Sequence, residues 1–534
     1  MMSVVVTPWF NMDPINLPKQ SILILVSFYL IAILLPQIRK SSLPNDRTNL
    51  VTVLLFIFVL FLVYFIGGKG SFLQFYGAFG RSTGFITYFS LALIFYVSIK
   101  VMNQDSSTKL LWALISAASL NCLYGLFQFF QFDPIDWNNP YNPILGTFGN
   151  PNFMSAFLGF AALASLAFLL GPSLPMVVKV FLIAEISASL ILIFLSDSSQ
   201  GLLIFILGAS ITFYYRFISG NSRTYLRYSY VSTFCVVLFL GLIALFNKGP
   251  LAPFLYQDSI TFRGDYWRAG WNMTVANPIF GLGLDSYGNW YRFHRTAEAT
   301  LRRGPDIVTD SAHNVLLDIS SNGGVLLLFS YLLLMALVIR SAFRVVRKSK
   351  NFDAVGIGLI TSWLAYQVQS IISINQLGLA IWGWVLGGAI IGYDIQGREV
   401  FIHREEKVMK QVPIKSLISG IVGLGLGALI AGLPLLKDFA FREAVKSGNA
   451  ANIEKVAGRF PENTYYYIYL SEIYLSNKIN DKALRNAKRA ISLNPRDFNA
   501  WKVLSANPSL IESERVGIRS KMQELDPFNE SLKE

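Results

Sequence analysis

Histidine is the side chain best suited to take a proton near neutral pH, and this chain of 534 residues has three. His403 sits in a basic stretch and reads as solvated, while His294 lies between Arg292 and Arg295, which disfavour another positive charge there. His313 stands in Asp310-Ser311-Ala312-His313-Asn314, beside a carboxylate and at the head of a long apolar run. It is the candidate general base, with Asp310 next to it. The competing reading is a helix start, in which Asp310 pairs with His313 for structure alone and Asp310-Ser311 cap the backbone. Guanidinium groups, which hold anions and developing negative charge well, occur at Arg263 and Arg268 and in Gly80-Arg81-Ser82-Thr83-Gly84. Two further polar groups are Gly146-Thr147-Phe148-Gly149-Asn150-Pro151-Asn152 and Ser196-Asp197-Ser198-Ser199-Gln200-Gly201. Neither His-x-x-x-His nor a cysteine cluster accompanies these groups, and the carboxylate pair Asp133 and Asp136 reads as a solvated turn. No metal and no cofactor is expected.

The elements that must position these residues are membrane helices. The chain is 53% hydrophobic and only 14% charged, where soluble chains carry about 25% charged residues, and its mean hydropathy is +0.47. That excludes a cytosolic globule, a disordered protein and a disulfide scaffold. Both cysteines, Cys122 and Cys235, lie inside apolar runs. Apolar runs long enough to span lie at about Ser21–Gln37, Leu50–Gly67, Phe85–Ile99, Leu110–Phe132, Phe153–Leu170, Met176–Leu195, Leu202–Phe217, Val231–Phe246, Gly323–Ile339, Ala354–Ile372, Leu377–Tyr393 and Ile414–Leu435. The expected fold is an all-α polytopic bundle of about twelve spans. The first run reads as a retained helix, because no basic segment precedes it and no small-residue cleavage site follows it.

Lys and Arg concentrate in alternate connections, among them Arg39, Lys40 and Arg47; Arg216, Arg223 and Arg227; Arg340, Arg344, Arg347, Lys348 and Lys350; and Arg398, Arg404, Lys407 and Lys410. The net charge of +13 therefore points to a bilayer, not to nucleic acid. The positive-inside rule puts both termini and the long connection 247–312 outside. The domain reading is 1–246 for the first spans, 247–312 for an outer loop, 313–436 for the last spans and 437–534 for a tail. Glu185, mid-span, is either functional or paired with a Ser or Tyr of a neighbouring helix. Gly423-x-x-x-Gly427 reads as helix packing rather than dimerisation.

The tail mixes acid and base and contains no further span. Pro461 to Pro495 is 34 residues and Pro495 to Pro527 is 32, close to the tetratricopeptide period of about 34. Tyr465–Leu475 and Ala483–Ile491 have helical apolar spacing between the prolines. Two or three stacked helical repeats are expected, forming a concave surface for a partner.

The run from Arg263 to Ile339 resembles the shared domain of bacterial O-antigen ligases and Wzy-type polymerases. The matching residues are Arg263, Trp267, Pro278, Gly281, Gly283, Asp310, Ser311, His313, Asn314, Gly323 and Gly324, so the core is taken as 263–339. The Gly80-Arg81 and Gly149-Asn150-Pro151-Asn152 elements and the repeat-bearing tail are similar to the branch of that family with tetratricopeptide repeats.

The resemblance implies a membrane glycosyltransferase of the GT-C kind in the bacterial plasma membrane. Such an enzyme moves a glycan from an undecaprenyl-diphosphate carrier to an acceptor hydroxyl: lipid A core, a growing glycan, or a protein. His313 would activate the acceptor. Arg263 would stabilise the leaving diphosphate, with Arg81 and Arg268 second. Asp310 joins the catalytic set, and Asn150, Asn152, Gln200 and Asn314 are candidates for substrate binding. Many members have Ser-Arg-Gly where this chain has Ser199-Gln200-Gly201, so a charge is missing there and another cation must substitute, or donor binding differs. The rival readings are a transporter or flippase, and a scaffold whose repeats recruit a protein partner. The asymmetric placement of the polar motifs speaks against the first. The excess of spans speaks against the second.

Overall fold

The computed structural model describes residues 1–38, 44–137, 144–172, 174–220, 223–245, 247–250, 252–255, 258–349, 351–399 and 413–533. Arg39, Lys40, Lys350, His403, Arg404, Lys407 and Lys410 lie outside the described residues. Among the described residues the fold is all helical, with no strand.

Every apolar run named above coincides with a helix. Among the described residues ten helices are long and apolar enough to cross a membrane. The seventeen-residue helix Phe85–Val101 fills the third position, and Thr224–Leu245, with 22 residues, fills the eighth. The chain is a multi-pass membrane helix bundle. Its helices carry exposed Phe58, Phe61, Phe194, Leu426 and Leu429 on their outer faces, as lipid contact allows, whereas Pro151–Leu169 is enclosed nearly all round.

The first and last spans, Asn16–Ile38 and Ile414–Lys446, pack along their length. Glycines make this approach possible. A Cβ at Gly423 would stand 2.5 Å from Ala32 Cβ and from Phe28 O, so the small-residue stripe serves internal packing. Glu185 accepts hydroxyl hydrogen bonds from Ser165 at 2.6 Å and Ser189 at 3.1 Å. The neighbouring-helix reading of Glu185 is the one observed.

The ninth run is longer than expected and broken. Helix Val315–Lys348 loses helical geometry at Gly324, with φ +70°, a region open to glycine without a Cβ penalty. The segment Pro278–Gly283 repairs the break: Leu282 N–H donates to Ser321 O, Gly283 N–H to Asn322 O, and Val325 N–H to Pro278 O, at 3.0, 3.0 and 2.7 Å. The Pro-x-x-Gly-x-Gly element is thus the backbone partner of the Gly-Gly element, as buried amides and carbonyls require.

The tail continues from the last span as Ala450–Ala457, Thr464–Ser476, Asn480–Leu493, Phe498–Ser505 and Glu512–Leu525, packed as consecutive helices. It lies at the same end of the bundle as the N-terminal residues, the loop at 77–84 and the long loop. Met12 and Asp13 N–H donate to Asp438, Phe79 stacks on Tyr465 with centroids 3.8 Å apart, and Arg292 pairs with Asp526. At the opposite end, Lys348 and Arg344 pair with Asp394 at 3.2 and 3.7 Å.

Candidate active site

Two carboxylates, the half-buried Asp285 and the buried Asp318, build the frame. Asp285 accepts the backbone N–H groups of Ala78 and Thr83 at 2.7 and 3.1 Å, and the Thr83 hydroxyl at 2.7 Å. This fixes the 77–84 loop and with it Arg81, which is buried and sets Nη1 3.4 Å from Asp310 Oδ1. Asp318, one turn into the broken helix, accepts the Ser311 hydroxyl and the Ala312 N–H, both at 2.7 Å. The loop before that helix is thereby folded back over its own first turn.

His313 follows in the left-handed region at φ +52°, a conformation that non-glycine residues adopt sparingly and that clusters at functional sites. Its N–H donates to Ser311 Oγ at 3.1 Å, and the Trp267 indole donates to its carbonyl at 3.4 Å. The imidazole stacks on Tyr266, with centroids 5.1 Å apart and planes 29° apart. Burial, then the positive charges of Arg263 and Arg81, push its pKa down to about 4, against the smaller opposing pull of Asp310. The ring is therefore neutral, with a free lone pair, at physiological pH. Arg263 is half-buried on helix Asp258–Ala276, and burial lowers its pKa from the ordinary arginine value. It has no ion-pair partner among the described residues.

The helix cap is Asn314, whose side chain accepts from Leu316 and Leu317 N–H at 3.0 and 3.1 Å. The expected cap at Asp310-Ser311 is corrected: Asp310 turns to Arg81, and Ser311 to Asp318. Among the residues expected at the site, Arg81, Asp310 and His313 line one cavity of about 550 Å³ together with Tyr266 and Asp285. Arg263 is not among the residues that line it, but its positive charge acts on His313.

Other expected residues are elsewhere. Arg268 is exposed and its charge acts on Glu298. Asn150 caps helix Pro151–Leu169, accepting from Asn152 N–H at 2.9 Å. Asn152 Oδ1 accepts the Ser198 hydroxyl at 2.8 Å, and Ser155 bridges Ser198 O and Gly201 N–H. Gln200 is buried there, and neither of its side-chain polar atoms has a partner among the described residues. These residues form a second polar cluster, and none of them lines the His313 cavity. His294 has its pKa lowered to about 4 by burial and by Arg496, and its ring sits near Trp290. Asp133 accepts from Tyr124, Gln128 and Trp137, so it anchors its turn instead of standing solvated. Among the described residues no group of three or more His, Cys, Asp or Glu side chains is placed to hold a metal.

The tail forms part of the cavity wall, with Arg496, Phe498 and Leu525. It is fastened there by Asp526, fully buried, which takes Arg292 Nη1 at 2.9 Å and Arg295 Nη2 through both oxygens at 2.7 and 2.8 Å. The same guanidiniums hold the carbonyls of Pro305 and Ile307, just ahead of Asp310. Arg496 adds a stack on the Trp290 ring at 3.4 Å.

Residues 184–332 match the family model described as O-antigen ligase. That stretch is similar to the O-antigen ligase family. The match includes Arg263, Asp310 and His313, while Arg81 and the tail residues that complete the cavity lie outside it. No curated protein matches the chain.

Sequence reading missed Asp285, Asp318, Tyr266, Arg496 and Asp526 as parts of the site. For Asp318 a signal existed: an acidic residue in the first turn of an apolar helix needs a partner. Asp526, 231 residues from Arg295 along the chain, had none.

Proposed function

We propose that this protein is a metal-independent glycosyltransferase that moves a glycan from an undecaprenyl-diphosphate carrier to an acceptor hydroxyl at the outer face of the bacterial plasma membrane. The observation that carries the reading is His313 in one cavity with Arg81 and Asp310, its pKa held down by burial and by Arg263, which has no ion-pair partner among the described residues. A diphosphate is already a good leaving group, so it needs fixed cations more than an acid. Arg263 and Arg81 supply them, and among the described residues Arg263 has no carboxylate to surrender first. The acceptor hydroxyl is a weak nucleophile; the His313 lone pair takes its proton as the oxygen attacks the anomeric carbon and the carrier diphosphate departs. Asp310 positions Arg81. The sharing of one end by the long loop, the tail and the 77–84 loop supports their common placement outside, and the tail reads as tetratricopeptide-like repeats that present the acceptor or a protein partner.

The test is transfer by the purified full-length chain in nanodiscs, given lipid-linked glycan extracted from its own host and excess EDTA. Product formed at the rate seen without chelator supports the reading. Activity lost to EDTA and restored by magnesium or manganese would overturn the metal-independent chemistry. Unchanged activity in Arg263→Ala would remove Arg263 from the diphosphate.

A further inference from the structure

The cavity at His313 adjoins a second space along the tail. A larger cleft of about 1060 Å³ lies between the tail and the outer loop, and Asn289, Arg496 and Asn499 line both. Drug-sized ligands occupy about 300–1,000 Å³, so this space suits a longer chain. We infer that the cleft is a subsite for a saccharide chain running out of the His313 cavity, an inference that rests on the glycan-transfer reading.

The lining argues for a saccharide. Trp290, Tyr465 and Tyr469 line it together with the polar side chains of Asn289, Asn499 and Glu472. Sugars have apolar C–H faces rimmed by hydroxyls, so they match aromatic platforms with amides and carboxylates at their edges. The platforms are held in place, since Tyr465 stacks on Phe79 and Trp290 on Arg496. The side chains of Asn289 and Asn499 have no hydrogen-bond partner among the described residues. The tail wall is helical, its backbone groups already paired within helices, so it offers no strand edge to an extended peptide. The Asp526 clamp keeps this wall over the site.

The chain in the cleft comes from the donor glycan or from a glycan acceptor, and kinetics separates the two. The probe is the oligosaccharide released by mild acid from the host's lipid-linked pool and labelled at its reducing end. Its binding to the full-length protein in nanodiscs is read by fluorescence anisotropy. Losing one aromatic platform weakens binding about tenfold, so Tyr469→Ala should raise Kd by that factor, while Tyr469→Phe, which keeps the ring, should match the wild type. In turnover, a raised KM for the lipid-linked donor alone assigns the cleft to the donor glycan; a raised KM for a glycan acceptor alone assigns it to the acceptor.

Equal Kd in both Tyr469 variants overturns the inference, as does displacement of the probe by an unglycosylated acceptor peptide. Binding is read without turnover. A protein that binds the probe but never transfers fails the proposed function and keeps the cleft. One that transfers with the same KM values in Tyr469→Ala keeps the function and loses the cleft.

Discussion

At the scale of single residues, His313 is governed by its neighbours' charges. Burial first, then Arg263 and Arg81, hold its pKa near 4 instead of the ordinary 6.5. A base works only unprotonated, so kcat/KM should stay level as pH falls from 8 and drop as it passes through about 4. Arg263→Gln removes the largest nearby positive charge and should move that limb upward, toward 6.5. On the proposed function a bound diphosphate would neutralise the same cations, so the limb in kcat should lie above the limb in kcat/KM. Rate profiles of the two proteins check this, and coincident limbs would detach Arg263 from His313. The pairing of Asp310 with Arg81 explains why a carboxylate three residues from His313 does not hold the imidazole: the buried guanidinium 229 residues earlier in the chain takes it.

Among the elements, the broken helix and its two loops do the positioning. Gly324 sits at φ +70°, and a Cβ there would come 2.2 Å from Ile279 O. Gly324→Ala therefore strains the backbone by about 1–3 kcal/mol and pushes Pro278–Gly283 away, so it should lower the melting temperature in detergent and reduce transfer. A melting temperature equal to wild type would mean that the break is not held by that contact. Much of this level was legible in the sequence, because a membrane span must be long, apolar and hydrogen-bonded within itself. The Asp310–Asn314 motif was legible as a unit for the same reason, being polar at the head of a span. What was not legible is long-range. The roles of Asp285, which folds a loop 202 residues earlier, and of Asp318 depend on which loops meet. Asn150, Asn152 and Gln200 read as one outer group with His313, yet Asn150 caps another helix and the other two sit where that helix meets the start of a second. Arg268 was separable from Arg263 by helical spacing alone, since five residues turn about 140° at 3.6 residues per turn.

For the whole molecule, the tail belongs to the site. Asp526 is buried between Arg292 and Arg295, and removing one partner of a buried ion pair costs about 3–5 kcal/mol because the other charges stay buried. Asp526→Ala should loosen the tail, free the Pro305–Ile307 segment, and lower kcat more than it raises donor KM. Limited proteolysis should then release the tail faster than from wild type; equal cleavage and equal kcat would mean that the clamp is dispensable. Deleting 437–534 should accordingly do more than blunt acceptor use, since it would strip the partner from two buried guanidiniums. Sidedness can be read from a cysteine placed at the exposed Ser476 in a Cys235→Ser background, which should react with an impermeant maleimide in intact spheroplasts; labelling only after lysis would put the tail and the cavity in the cytoplasm. The most direct measurement is single-turnover transfer from lipid-linked donor by purified His313→Ala beside the wild type, with both shown to be folded and equally inserted. Loss of the base should slow transfer about 10²–10⁴-fold while donor binding is retained; transfer within a few-fold of wild type would contradict the account.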